Sequence, residues 1–135
     1  MKKMLAFAAA LTAAQWAFAA QPLLAPAQLH ALPAATLRVI DIRDPQAYAK
    51  QHIPGAVSAP YGKWRGPASN PGELPDISKL TQLVQSLGLT PATHAVVVSS
   101  GADATDFGAS ARVYWTLKTL GLKELSIVNG GMKAW

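Results

Sequence analysis

The side chains most able to do chemistry sit together in one polar stretch, Ser99 to Phe107 (SSGADATDF), between an apolar run and an amphipathic one. Ser100 could serve as a hydrolase nucleophile only if a base took its proton. No G-x-S-x-G surrounds it and no His lies near it in sequence, so a polar loop residue is the better reading. Asp103 and Asp106 could pair for acid–base or metal work, but two acids in a Gly-containing stretch ahead of a helix are more often turn formers and helix caps. His30, His52 and His94 are far apart and lack ligand spacing, so neither a metal nor any other cofactor is predicted. The chain contains no cysteine, which excludes disulfides, thiolate ligands and any persulfide or thioester carried by its own side chains. Ser100, as a loop residue, and three further residues, Asp41, Arg43 and Arg112, are candidates for contacting a small ligand. Asp41 and Arg43 stand at the end of an apolar run, where a scaffold ion pair is the competing role, and Arg112 could meet either a ligand anion or the surface of a partner.

The elements that must position these residues alternate. Pro26 to Leu32 is predicted as a short helix and Thr36 to Ile42 as a buried strand. Asp44 caps the next helix with Pro45 at its first position, and Ile53-Pro54-Gly55 stops it ahead of a brief strand within Ala56 to Pro60. Tyr61 to Pro75, rich in Pro and Gly, is an ordered loop without regular structure. Asp76 or Ser78 opens a helix whose apolar positions are Ile77, Leu80, Leu83, Val84 and Leu87, with Gly88 as its stop. Ala95 to Val98 (AVVV) has the continuous apolar character of a parallel strand covered on both faces. After the polar loop Ser99 to Phe107, Gly108 to Leu120 reads as a second amphipathic helix, with Ala111, Tyr114, Trp115, Leu117 and Leu120 available for the core and Arg112 near its start. Leu125 to Val128 is a last strand, and MKAW begins another helix. Strands alternating with helices imply an α/β fold, a three-layer sandwich around a mostly parallel sheet. Ligands in such folds sit at the carboxyl ends of strands, which makes the loop after Val98 the natural site.

Lys2 and Lys3, an apolar run from Met4 to Ala14 and the A-x-A of Ala17-Phe18-Ala19 read as a secretory signal peptide, residues 1–19, cleaved before Ala20. The apolar run is too short to span a bilayer, so no membrane association is expected after cleavage, and the periplasm is the expected compartment. Removing Lys2 and Lys3 from the twelve Lys and Arg leaves ten bases against seven acids, a net +3, scattered singly. That is no phosphate-tracking surface, and nucleic acid is not an expected partner. Residues 20–135 then form one domain of a size that folds without metal or disulfide.

Three segments, VIDIRDPQAYAKQHIPGAVSAPY (Val39 to Tyr61), AVVVSSGADATDFGASARVYWTLKTLGL (Ala95 to Leu122) and SIVNGGMKAW (Ser126 to Trp135), resemble the rhodanese sulfurtransferase family. The most specific features are the strand-ending D-x-R of Asp41 and Arg43, followed by H-I-P-G-A from His52 to Ala56, and the closing G-G-x-x-x-W. The resemblance implies a rhodanese-like fold and places Ser100 where active members carry the cysteine that holds sulfur as a persulfide. A serine hydroxyl neither ionises near neutral pH nor forms a labile S–S bond. The stretch between Ser100 and Arg112 is also longer than the family's tight cradle.

By the same resemblance, the chain looks like the inactive N-terminal half of a tandem thiosulfate or 3-mercaptopyruvate sulfurtransferase, ending in an incomplete last helix. Its partners would be a second, cysteine-bearing rhodanese domain and a small anionic sulfur donor, held with help from Arg43 and Arg112. Trp64, in the Pro/Gly loop, could pack on that second domain or cover the sheet edge, whereas Trp115 is expected in the core. The alternative is a stand-alone periplasmic module that binds an anion or a protein without catalysis.

Overall fold

The computed structural model describes residues 19–135; the signal-peptide reading falls on residues 1–18 and lies outside them, save for Ala19. Five strands form one all-parallel sheet: β1 (Leu23–Leu24), β2 (Leu37–Asp41), β3 (Val57–Ser58), β4 (His94–Val98) and β5 (Leu125–Val128), in the order β1-β5-β4-β2-β3. The helices are α1 (Pro26–His30), α2 (Pro45–Lys50), α3 (Ile77–Ser86), α4 (Ala104–Thr119) and α5 (Gly131–Ala134). One register row, Leu23, Ile127, Val97, Ile40 and Val57, crosses all five strands.

Both faces of the sheet are covered, which is why β4 is apolar from Ala95 to Val98: Ala95 and Val97 face one layer, Val96 and Val98 the other, all fully buried. The first layer joins Ile40, Ala95, Val97, Leu125 and Ile127 to Leu80 of α3 and to Val113 and Leu117 of α4. The second joins Val39, Val96, Val98 and Val128 to Leu29 of α1 and Met132 of α5. This is the expected three-layer α/β sandwich. Asp44 caps α2, accepting the Ala47 amide at 2.9 Å with Pro45 at the first helical position, as predicted.

Several expectations are corrected. β1 has only two residues, too few to leave a periodic signal. The Pro/Gly loop contains a 3₁₀ turn, Tyr61–Trp64. Trp64 is fully buried in the first layer, with its indole N–H donating to the Ala59 carbonyl at 3.1 Å just past the edge strand β3, so it packs within this domain and leaves no surface for a second one. Trp115, expected in the core, is 48% exposed. The buried side of α4 is Ser110, Val113, Thr116 and Leu117, and Thr116 spends its hydroxyl on the Arg112 carbonyl at 2.8 Å. Small polar side chains thus take part of the inner face and the large indole points out. Ile77, the first residue of α3, is 69% exposed, and Leu80 is the residue of that helix buried in the core.

Candidate functional site

β2 and β4 lie side by side, and the Ile42 amide donates to the Val98 carbonyl at 3.0 Å, which sets the carboxyl-end rim of the sheet. The chain leaves β4 through Ser99 and reaches Asp103, the N-cap of α4, whose carboxylate accepts the Asp106 amide at 2.9 Å. The loop is therefore Ser99 to Asp103 only. The expected long stretch to Phe107 is corrected because capping by Asp103 starts the helix at Ala104, and Arg112 falls in the middle of α4 instead of near its start.

Asp106, in the first turn of α4, reaches back into this loop. Its Oδ1 accepts the Ser100 amide at 3.1 Å and the Ser100 hydroxyl at 2.7 Å; its Oδ2 accepts the Gly101 amide at 2.7 Å and the Ser99 hydroxyl at 2.8 Å. Burial works against ionisation of Asp106, but the Ser100 and Ser99 hydroxyls and the Gly101 and Ser100 amides outweigh it and hold the carboxylate below its ordinary pKa. Its place in the first turn also suits a negative charge. The loop's inward donors thus converge on an anion the protein supplies itself.

The outer side of the loop is clamped by the opening turn of α5. The Met132 amide donates to the Ser99 carbonyl at 2.8 Å and the Lys133 amide to the Ser100 carbonyl at 3.0 Å. Gly101 and Gly131 have positive φ, 84° and 57°, and backbone packs on backbone there. A Cβ on Gly101 would collide with the Gly130 carbonyl oxygen, and one on Gly131 would come within 2.5 Å of the Ser99 carbonyl oxygen and the Gly101 nitrogen. The space left beside the loop is about 130 Å³.

Chemically, this arrangement gives Ser100 no nucleophilic character. Its hydroxyl donates to Asp106, a carboxylate whose four donors make it a weak base. Spacing hinted at Asp106: an acid three residues after a capping Asp is placed to reach back past the helix start. Reading both acids as caps named Asp103 correctly and missed that Asp106 binds the loop.

The other candidates form separate local networks. Asp41 is fully buried and pairs with Arg43, Nη2 to Oδ2 at 2.6 Å and Nε to Oδ1 at 3.0 Å, while the same Nη2 donates to the Gln51 carbonyl at 2.6 Å. Hydrogen bonding to Asp41 raises the Arg43 pKa against some desolvation. The pair ties the end of β2 to the residue after α2. Arg112 Nη2 donates to the Gly72 carbonyl at 2.7 Å and its guanidinium lies 5.3 Å from the Trp115 ring centre. The three histidines are apart: His30 stacks on Trp135, His52 on Tyr48, and His94 bonds Ser126 at 2.9 Å. A larger cleft, about 510 Å³, lies away from this loop, between the 3₁₀ turn and α3, lined by Lys63, Arg65, Glu73, Asp76 and Lys79 among others.

Comparison with known proteins gives this geometry a context. The sequence profile of the rhodanese-like domain matches residues 25–135. Thiosulfate sulfurtransferase from Azotobacter vinelandii is 35% identical over 121 residues, 87% of this chain and 43% of the relative. The bovine (Bos taurus) thiosulfate sulfurtransferase is 38% identical over 90 residues, 65% of this chain and 29% of the relative. Among solved structures, SseA from Escherichia coli, described with the rhodanese fold and catalytic mechanism of 3-mercaptopyruvate sulfotransferases, superposes with a TM-score of 0.60 at 25% identity, over 76% of this chain and 42% of its own. YnjE superposes with a TM-score of 0.70 at 23% identity, over 84% and 28%. The chain spans less than half the length of each of these relatives.

Proposed function

This chain belongs to the rhodanese-like domain family, and we propose that within it the chain is a non-catalytic, cleft-forming domain of an exported thiosulfate or 3-mercaptopyruvate sulfurtransferase. The observation that carries the reading is the Asp106 carboxylate on the loop after β4, with Ser100 where the family's resemblance places cysteine. A persulfide-bearing loop must offer its amides to a sulfur anion. Here those amides are already committed, and a thiolate at position 100 would face a carboxylate at hydrogen-bonding distance.

The chemistry is then performed by a cysteine in a second rhodanese domain. Its thiolate attacks the transferable sulfur of the donor, the donor's bond to that sulfur breaks with release of sulfite from thiosulfate or of pyruvate as its enolate from 3-mercaptopyruvate, and the resulting persulfide passes the outer sulfur to cyanide or a thiol and returns to the thiolate. This domain supplies one rigid wall of the cleft. The aromatic edge of α4, Phe107 at 44% and Trp115 at 48% exposure, is the surface it offers to that second domain, with the Arg112 guanidinium 5.3 Å from the Trp115 ring centre. Arg43 serves the wall from within, through Asp41. The domain is delivered to the periplasm by residues 1–19.

The test is sulfur transfer from thiosulfate and from 3-mercaptopyruvate to cyanide, measured on the complete gene product and its Ser100→Ala variant. Full activity is expected in the variant. A drop of tenfold or more would place the chemistry at Ser100 and overturn the reading.

A further inference from the structure

The segment entering the sheet is fastened residue by residue to β5. Asn129 donates its amide to the Leu24 carbonyl at 2.8 Å, Ile127 to Pro22 at 2.8 Å, and the Ser126 hydroxyl donates to the Gln21 carbonyl at 2.5 Å. At the head of this row the Ala20 nitrogen donates to Glu124 Oε2 at 2.9 Å. Ala19, one residue earlier, is exposed. The A-x-A pattern of Ala17 to Ala19 puts the expected cleavage at the Ala19–Ala20 bond, so a sequence signal and a structural anchor meet at the same residue.

We propose that Glu124 is the seat of the mature amino terminus: leader removal turns the Ala20 nitrogen from a neutral amide into an ammonium, and the Glu124 carboxylate holds that charge against the edge of the sheet. The proposal rests on the leader reading above. In the cleavage, water adds across the Ala19–Ala20 amide, Ala19 leaves as a carboxylate, and the Ala20 nitrogen becomes an amine that takes a proton near neutral pH. One N–H donor becomes three and gains a full charge, 2.9 Å from an acid already in place.

The surroundings fit. Glu124 is half-buried, and its own carbonyl accepts the Ala95 amide at 3.0 Å, so its backbone is fixed by the sheet. His94, which feels the charge of Glu124, is spent on Ser126 at 2.9 Å, and desolvation keeps its pKa below the ordinary value. Lys123, the neighbouring cation on the same segment, is exposed. Processing therefore completes the β1–β5 edge: before cleavage Glu124 receives a neutral donor, and afterwards a charged one.

Two readouts separate the seat from the leader. The protein encoded by the whole gene is exported from a Gram-negative host and its amino terminus sequenced; Ala20-Gln21-Pro22 is expected, and any other first residue overturns the processing step. Independently, the same protein is made in the cytoplasm behind a removable tag whose proteolysis leaves Ala20 first, and the α-amine is titrated with limiting acetylating reagent. In the wild type the amine should react about two- to fivefold more slowly than in Glu124→Gln, the range expected of a partly exposed ion pair. Glu124→Asp, which keeps the charge but withdraws it by a methylene, should fall between. Equal rates in all three proteins, each with native circular dichroism, would overturn the seat whatever the leader does.

Discussion

Asp106 holds Ser100 twice, by its amide at 3.1 Å and by its hydroxyl at 2.7 Å, both on one carboxylate oxygen. A single side chain therefore fixes the loop at the centre of the sheet's carboxyl edge and neutralises its donors.

Removing that acceptor strands amides and hydroxyls together. Asp106→Ala should cost about 2–4 kcal/mol, since hydrogen bonds to a charged group are the stronger ones and unsatisfied donors add a penalty. The sign of the pH dependence follows from the lowered pKa of Asp106 in the folded state. Its contribution is fully present above the unfolded value of about 4 and is lost as pH falls through the folded one. Urea midpoints from pH 7 to pH 2.5 should draw together for the two proteins toward the acid end. A constant gap would contradict this.

Arg43→Met leaves Asp41 fully buried beside a neutral side chain. Breaking a buried pair in this way costs about 3–5 kcal/mol, so the variant should unfold at much lower urea than the wild type. A loss under about 1 kcal/mol would mean that the pair does not tie β2 to the turn after α2.

Glycines distinguish the clamp from its surroundings. Gly101→Ala adds a methyl that runs into the Gly130 carbonyl and carries the wrong φ, so the loop must move and thermal stability should fall sharply. Gly108→Ala, inside α4 with nothing within 4 Å, should instead stabilise by about 0.5–1 kcal/mol. Calorimetry giving both substitutions the same sign would refute the close packing of the two backbones.

The two tryptophans should behave oppositely. Trp64→Ala empties the core and should cost about 3–5 kcal/mol, whereas Trp115→Ala should stay within about 1 kcal/mol in the chain by itself. Emission spectra of the single-tryptophan-loss variants report the same contrast, because the fluorescence lost with Trp64 is that of a buried indole.

How much was legible in the sequence follows from where hydrophobicity and position agree. The continuous apolar run Ala95–Val98 of β4 announced a strand buried on both faces, the largely apolar β2 and β5 were readable as strands beside it, and Asp44-Pro45 announced α2. β1 gave no such signal, because two residues have no period. On α4 the hydropathy misled in part: Leu117 is buried and Ala111, Tyr114 and Leu120 pack against the core as expected, but Trp115 is exposed while Ser110 and Thr116 are buried. At the loop, Ser100 in place of cysteine could be read directly. That Asp106 occupies the amides could not, since it depends on the angle at which α4 leaves Asp103.

The central claim is that the loop after β4 is closed to a sulfur anion by Asp106, and one thiol tests it. The chain has no cysteine, so Ser100→Cys introduces a single thiol whose ionisation can be followed by thiolate absorbance across pH. Beside the Asp106 carboxylate its pKa should lie above the ordinary value of about 8.5, and adding Asp106→Asn should bring it down by about one unit or more. A thiol pKa at or below the ordinary value in Ser100→Cys with Asp106 intact would mean that the loop still welcomes a thiolate, and the account would be wrong.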